Sequence, residues 1–68
     1  MKNKIKELRE EAGLTQAALA TLTGVSRQAI NAVETGKYDP SIWLAHALSK
    51  AFDKAIEDIF IFEEGEER

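Results

Sequence analysis

Sixty-eight residues make one domain at most, and a chain this short buries only about 60% of the surface its unfolded form exposes. Its 44% apolar and 31% charged residues suit a folded globular domain rather than a disordered tail. It has no cysteine and no apolar run of membrane-spanning length, which excludes disulfides, thiolate metal sites and a transmembrane helix, and leaves the cytoplasm as the expected location. Self-association is the remaining route to extra stability.

The net charge of -3 is unevenly placed. Residues 1–37 carry +2, from Lys2, Lys4, Lys6, Arg9, Arg27 and Lys37 against Glu7, Glu10, Glu11 and Glu34. Residues 38–68 carry -5, from Lys50, Lys54 and Arg68 against Asp39, Asp53, Glu57, Asp58, Glu63, Glu64, Glu66 and Glu67. The acid therefore sits in the second half, but the positive footprint of the first half is weak for a nucleic-acid partner.

Residues 1–12 read as a first helix, with Ile5, Leu8 and Ala12 as its apolar stripe and Asn3 available as a cap. Gly13 ends it. Thr15 is placed to cap a second helix from Gln16 to about Leu22, with Ala18, Leu19 and Leu22 on one face. Gly24 can take the left-handed conformation that stops a helix, and Ser26 starts a third from Arg27 to about Thr35, with Ala29, Ile30 and Val33 inward. Helix, short Gly-containing turn, helix is the helix-turn-helix pattern, here spanning residues 16–35.

Gly36 to Pro40 is a turn-rich linker, and Ser41 opens a fourth helix to about Phe52 with Ala45, Leu48 and Phe52 inward and Ile42 and Leu44 at the border. Residues 53–55 contain neither Gly nor Pro, and Ala55 cannot cap. Both a continuous helix over 41–60 and a broken pair, with a short fifth helix ending at Phe60, fit the residues. Ile59, Phe60, Ile61 and Phe62 form an apolar run that a small core has little room for. It reads as a subunit interface in an extended segment, with completion of the chain's own core as the alternative for Ile59 and Phe60. Residues 63–68 form an acidic tail.

Catalytic chemistry has little to draw on. His46 is the only histidine and stands in mid-helix among apolar neighbours, and no metal spacing, phosphate loop or nucleophile with its base is present. No cofactor or metal is expected, and no enzymatic activity. The outward residues of the third helix are Arg27, Gln28, Asn31 and Ala32. Arginine suits guanine O6 and N7, and glutamine and asparagine can each pair bidentately with adenine, so these are the base contacts expected of a double-stranded DNA reader. Gln16 at the start of the second helix, with Thr35, Lys37 and Tyr38 just past the third, are the phosphate contacts expected. Glu34 is acidic near the groove, which fits a structural ion pair with Arg9 better than a DNA contact.

The segments Gly13-Leu14-Thr15-Gln16, Leu19-Ala20, Gly24-Val25-Ser26-Arg27-Gln28, Ile30-Asn31 and Glu34-Thr35-Gly36-Lys37-Tyr38-Asp39-Pro40-Ser41 closely resemble the XRE family of Cro/C1-type helix-turn-helix regulators. The likeness runs over about residues 3–62 and is nearest to the short single-domain members. It implies an all-α, compact five-helix lambda-repressor-like domain over residues 1–62 with a short extended C-terminal segment, and it favours the broken pair at 53–55. It implies a homodimeric transcriptional regulator, a repressor of a pseudo-palindromic operator, with Gln16 on a phosphate and Arg27, Gln28 and Asn31 in the groove. It also supports the Arg9–Glu34 pair, and small members pair through a C-terminal segment such as Ile59 to Glu63.

The sequence departs from the family at Ala29 and Thr35, where a hydroxyl residue and Asn are usual, and at residues 53–55, where Gly, an apolar residue and Ser are usual. Trp43 replaces a polar residue and is assigned either to the dimer interface or to the flank of the core. Two other functions share the same domain. One is an antitoxin, with a toxin as protein partner; the other is a protein-interaction module that has lost DNA binding.

Overall fold

The computed structural model describes residues 1–63, in which five helices follow one another as α1 (Ile5–Glu11), α2 (Gln16–Thr23), α3 (Arg27–Glu34), α4 (Ile42–Phe52) and α5 (Ile56–Ile59). Of the expected tail, residues 64–68 lie outside the described residues. No helix among the described residues is long and apolar enough to cross a membrane.

Three helices start on a hydroxyl. Thr15, Ser26 and Ser41 each sit in extended conformation and accept the N–H of the residue three positions on (Ala18, Ala29 and Leu44), every bond 3.0 Å long. Each satisfies a donor that the first turn cannot pair internally. At the turn between α2 and α3, Gly24 has φ +75° and its N–H reaches the Ala20 carbonyl at 2.9 Å, a left-handed stop that a Cβ would strain.

The first helix starts at Ile5 rather than Met1, because its expected first turn is used otherwise. Lys4 N–H donates to the Ile59 carbonyl at 2.7 Å and Ile61 N–H to the Lys2 carbonyl at 2.9 Å, an antiparallel bridge pairing Asn3 with Phe60. Asn3 still caps. Its Oδ1 accepts Ile5 N–H, and its Nδ2 donates to the Val33 carbonyl at 2.9 Å, pinning the chain start to α3.

The junction at 53–55 is broken. Asp53 takes the left-handed conformation (φ 54°, ψ 48°), and Lys54 N–H reaches back to the Ser49 carbonyl at 3.1 Å. Asp53 thus makes the stop that a glycine usually makes, the Ser49 hydroxyl donates to the Lys54 carbonyl, and α5 starts at Ala55 without a side-chain cap. The break turns α5 back so that Ile59 and Phe60 enter the core.

That core comprises Ile5, Leu19, Ala20, Ile30, Val33, Leu44, Ala45, Leu48, Ile59 and Phe60. Of the residues expected inward, Leu8, Ala18, Ala29 and Phe52 are half-buried at its margin and two are exposed. Ala12 is exposed, and Leu22 is 62% exposed because the buried stripe of α2 runs through Leu19 and Ala20, turned away from it. Ile42 is likewise exposed while its neighbour Leu44 is buried.

Candidate nucleic-acid interface

The two caps and the Gly24 turn decide how α3 is presented. Ile30 and Val33 anchor it in the core, and the opposite side carries Arg27, Gln28 and Asn31, all exposed and set at i, i+1 and i+4. Ala32 does not join that row. It is half-buried and lines a shallow groove with Tyr38, Pro40 and Leu44, while its carbonyl accepts the N–H groups of Lys37 (2.9 Å) and Tyr38 (3.1 Å).

At the mouth of α2 the Thr15 cap takes the Ala18 N–H, leaving those of Gln16 and Ala17 without an acceptor among the described residues. Such groups suit an anion. Gln16 itself is half-buried, and its amide Nε2 donates to Glu34 Oε1 at 3.2 Å.

Glu34 is the hub of this corner. Arg9 Nε donates to Oε2 at 3.0 Å and its Nη2 to Oε1 at 3.1 Å, while Nη1 reaches the Leu14 carbonyl at 2.9 Å. Both side chains are nearly covered, 12% and 6% exposed. Burial alone pushes the Glu34 carboxyl pKa up, but hydrogen bonds from Arg9 and Gln16, with the charges of Arg9 and Lys6, outweigh it and hold the pKa below its ordinary value. The hydrogen bond to Glu34 raises the guanidinium in turn, against the desolvation that lowers it. Removing one member of such a pair leaves an uncompensated charge, at a cost of about 3–5 kcal/mol when fully buried. The sharing of Glu34 by Gln16 had no signal in the sequence, since the two stand eighteen positions apart.

Beyond α3, Lys37 and Tyr38 are exposed and free to face a phosphate backbone. Thr35 is exposed as well, and its hydroxyl donates to the Asn31 carbonyl at 2.8 Å, one turn back.

The expected dimer surface divides. Ile59 and Phe60 are 0% and 1% exposed, fully used by the chain's own core, and are corrected to core residues. The backbone beside them is also taken, by Lys2 and Lys4. Trp43 is 78% exposed, so it does not flank the core. Phe62 (53%) and Ile42 (78%) border one groove with Pro40 and Ile56, whereas Ile61 turns the other way, toward Glu34–Gly36. Ile42 was not singled out by the sequence because it stands at the border of a helical face.

No group of three or more His, Asp or Glu placed to hold a metal occurs among the described residues. His46 is exposed on α4, beside Leu22 and Lys50.

The sequence profile of the helix-turn-helix family matches residues 5–59. An uncharacterized HTH-type transcriptional regulator of Methanocaldococcus jannaschii is 56% identical over 66 residues, which are 97% of this chain and 100% of the relative. One of Bacillus subtilis is 48% identical over 64 residues, covering 94% of this chain and 97% of its own. Among solved structures, the restriction-modification controller protein C.AhdI from Aeromonas hydrophila superposes with a TM-score of 0.77 at 33% identity, over 84% of this chain and 86% of that one.

Proposed function

This chain belongs to the helix-turn-helix family of transcriptional regulators, a DNA-binding class and not an enzyme class, and from that premise we propose that it acts as a homodimer on an inverted-repeat operator. The observation that carries this reading is the exposed row Arg27, Gln28 and Asn31 on a helix whose other side is locked into the core. Those three side chains supply donors and acceptors for base edges in the major groove, and Gln16, Lys37 and Tyr38 hold the backbone on either side. Residues 1–62 form the working unit, and the protein works in the cytoplasm, where its operator is accessible.

Two copies are called for by charge as much as by symmetry. A chain of net charge -3 draws little from the phosphate field, so doubling the contacts is the direct way to a useful affinity. The surface for pairing is formed by Ile42 and Phe62, which border one groove, with the exposed Trp43 next to Ile42 in sequence. In such a dimer the two α3 helices lie about 34 Å apart, one turn of DNA, and bound protein represses by covering the promoter.

Selection of bound sequences from random duplex DNA, repeated at two salt concentrations, tests the reading. Recovery of an inverted repeat with fixed half-site spacing, with affinity falling by several powers of the salt concentration, is the expected outcome. Recovery of no sequence at either salt would remove DNA as the partner.

A further inference from the structure

The Arg9–Glu34 pair is ordinarily explained as a scaffold, but its geometry reaches further. Glu34 Oε1 accepts from two directions, Arg9 Nη2 at 3.1 Å and Gln16 Nε2 at 3.2 Å. Three elements therefore meet on one carboxylate: α1 through Arg9, the mouth of α2 through Gln16, and the last residue of the reading helix α3 through Glu34 itself. We infer that Glu34 is a positioning residue for the DNA backbone, holding the Gln16 amide in place for a phosphate and tying that grip to α3. The inference rests on the DNA-binding reading above.

The chemistry favours it on three counts. A glutamine amide carries two N–H groups, so one held by Glu34 leaves the other to meet a phosphate oxygen. A loose glutamine loses rotamer freedom when it is fixed at an interface; here that loss has been taken on folding. A carboxylate near a phosphate ordinarily repels it, but both oxygens of Glu34 are covered by Arg9, which also fixes the Leu14 carbonyl in the turn before α2. Because the same carboxylate ends α3, a phosphate seated on Gln16 sets how deep Arg27, Gln28 and Asn31 enter the groove.

The test is a double-mutant cycle read on operator affinity, using the operator recovered by selection. One arm is Gln16→Ala. The other is Arg9→Met with Glu34→Leu, which removes the carboxylate and its partner together and keeps the volume, a change buried pairs tolerate. Should that pair unfold the protein, as judged by thermal melting, Arg9→Leu with Glu34→Met is the alternative packing. In the parent, Gln16→Ala costs on the order of tenfold per half-site, the value of a hydrogen bond to a charged group. In the apolar-pair background the same change costs less than threefold, because the untethered amide contributes little. Replacing the facing phosphate by an uncharged methylphosphonate follows the same pattern, a readout that a purely structural pair does not move. An equal loss in both backgrounds would overturn the inference, as would no loss in either. If the parent binds no duplex at all, the DNA reading itself fails, a result distinct from binding without coupling.

Discussion

Trp43→Ala separates a true pairing surface from chance exposure. Trp43 is 78% exposed at the start of α4, next in sequence to Ile42, which is 78% exposed too. A tryptophan offers up to about 250 Å², so about 200 Å² of it stands open. At about 25 cal/mol per Å² its complete covering has an upper value of about 5 kcal/mol per copy. Association and side-chain ordering consume part of this, and about 2 kcal/mol is the threshold for a residue that dominates an interface. A two-fold dimer loses the side chain twice, about 4 kcal/mol, which raises its Kd by about a thousandfold. Equilibrium sedimentation over a concentration series measures that shift. As the only tryptophan, Trp43 also reports directly, its emission moving to the blue as the unaltered protein is concentrated. The folded monomer is spared, so the urea midpoint of the variant at low concentration stays at that of the parent. An unaltered protein that sediments as a monomer at tens of micromolar, or a variant that pairs as well as the parent, refutes the reasoning.

Phe60→Ala has the opposite signature: a fully buried ring lost from one chain costs about 3–5 kcal/mol, a large share of the total of about 3–10 kcal/mol for a domain of this length, so the urea midpoint by circular dichroism falls sharply and equally at every concentration. Asp53→Gly relieves a non-glycine residue held at φ 54° and raises the urea midpoint by the equivalent of about 0.5–1 kcal/mol, the unfolded-state entropy of glycine offsetting part of the gain. Acid titration follows Glu34. Its folded pKa lies below the unfolded value, so its stabilisation is complete above the ordinary carboxylate range and is lost as pH falls through the folded pKa; the apolar-pair variant therefore shows a flatter melting profile than the parent below about pH 4. Gln28→Ala keeps the parent's melting temperature and loses discrimination at one or two base positions in competition binding, about 1–3 kcal/mol each.

Much of the fold was legible because its signals are local. Thr15, Ser26 and Ser41 announce helix starts through a hydroxyl three residues from its donor, and Gly13 and Gly24 announce stops through a conformation other residues avoid. The run Ile59 to Phe62 was not legible, because periodicity cannot choose a face for four consecutive apolar residues. What decides is a partner far along the chain: Lys2 to Lys4 pair with 59–61 and turn Ile59 and Phe60 inward. Leu22 misled for a related reason, since the stripe through Leu19 and Ala20 and one through Leu19 and Leu22 both fit so short a helix. At the candidate site, the exposed row of α3 follows from the anchors Ile30 and Val33. The internal bond of Thr35 does not, because it depends on a hydroxyl turning back to Asn31. The break at 53–55 hides an ordinary left-handed stop behind an aspartate, and α5 then starts with no side-chain cap.

For two reading helices to recognise a spacing, each must be unable to swivel against its own pairing surface. Only residues 35–41 join α3 to α4, and a free linker of that length would let the two drift. Three features remove the freedom. The Ala32 carbonyl holds both Lys37 and Tyr38 N–H, Pro40 fixes its own φ before the Ser41 cap, and Asn3 ties the Val33 carbonyl to the chain start. Ile30, Val33, Leu44 and Leu48 then pack in one core. The position of Arg27, Gln28 and Asn31 relative to Ile42 and Trp43 is thus set by the monomer. The proposed dimer, built on that face, would present one distance between its α3 helices, and half-site separation would become part of what it reads. A chain with so little positive charge gains most from this, because spacing discriminates against random DNA without requiring stronger attraction to all of it.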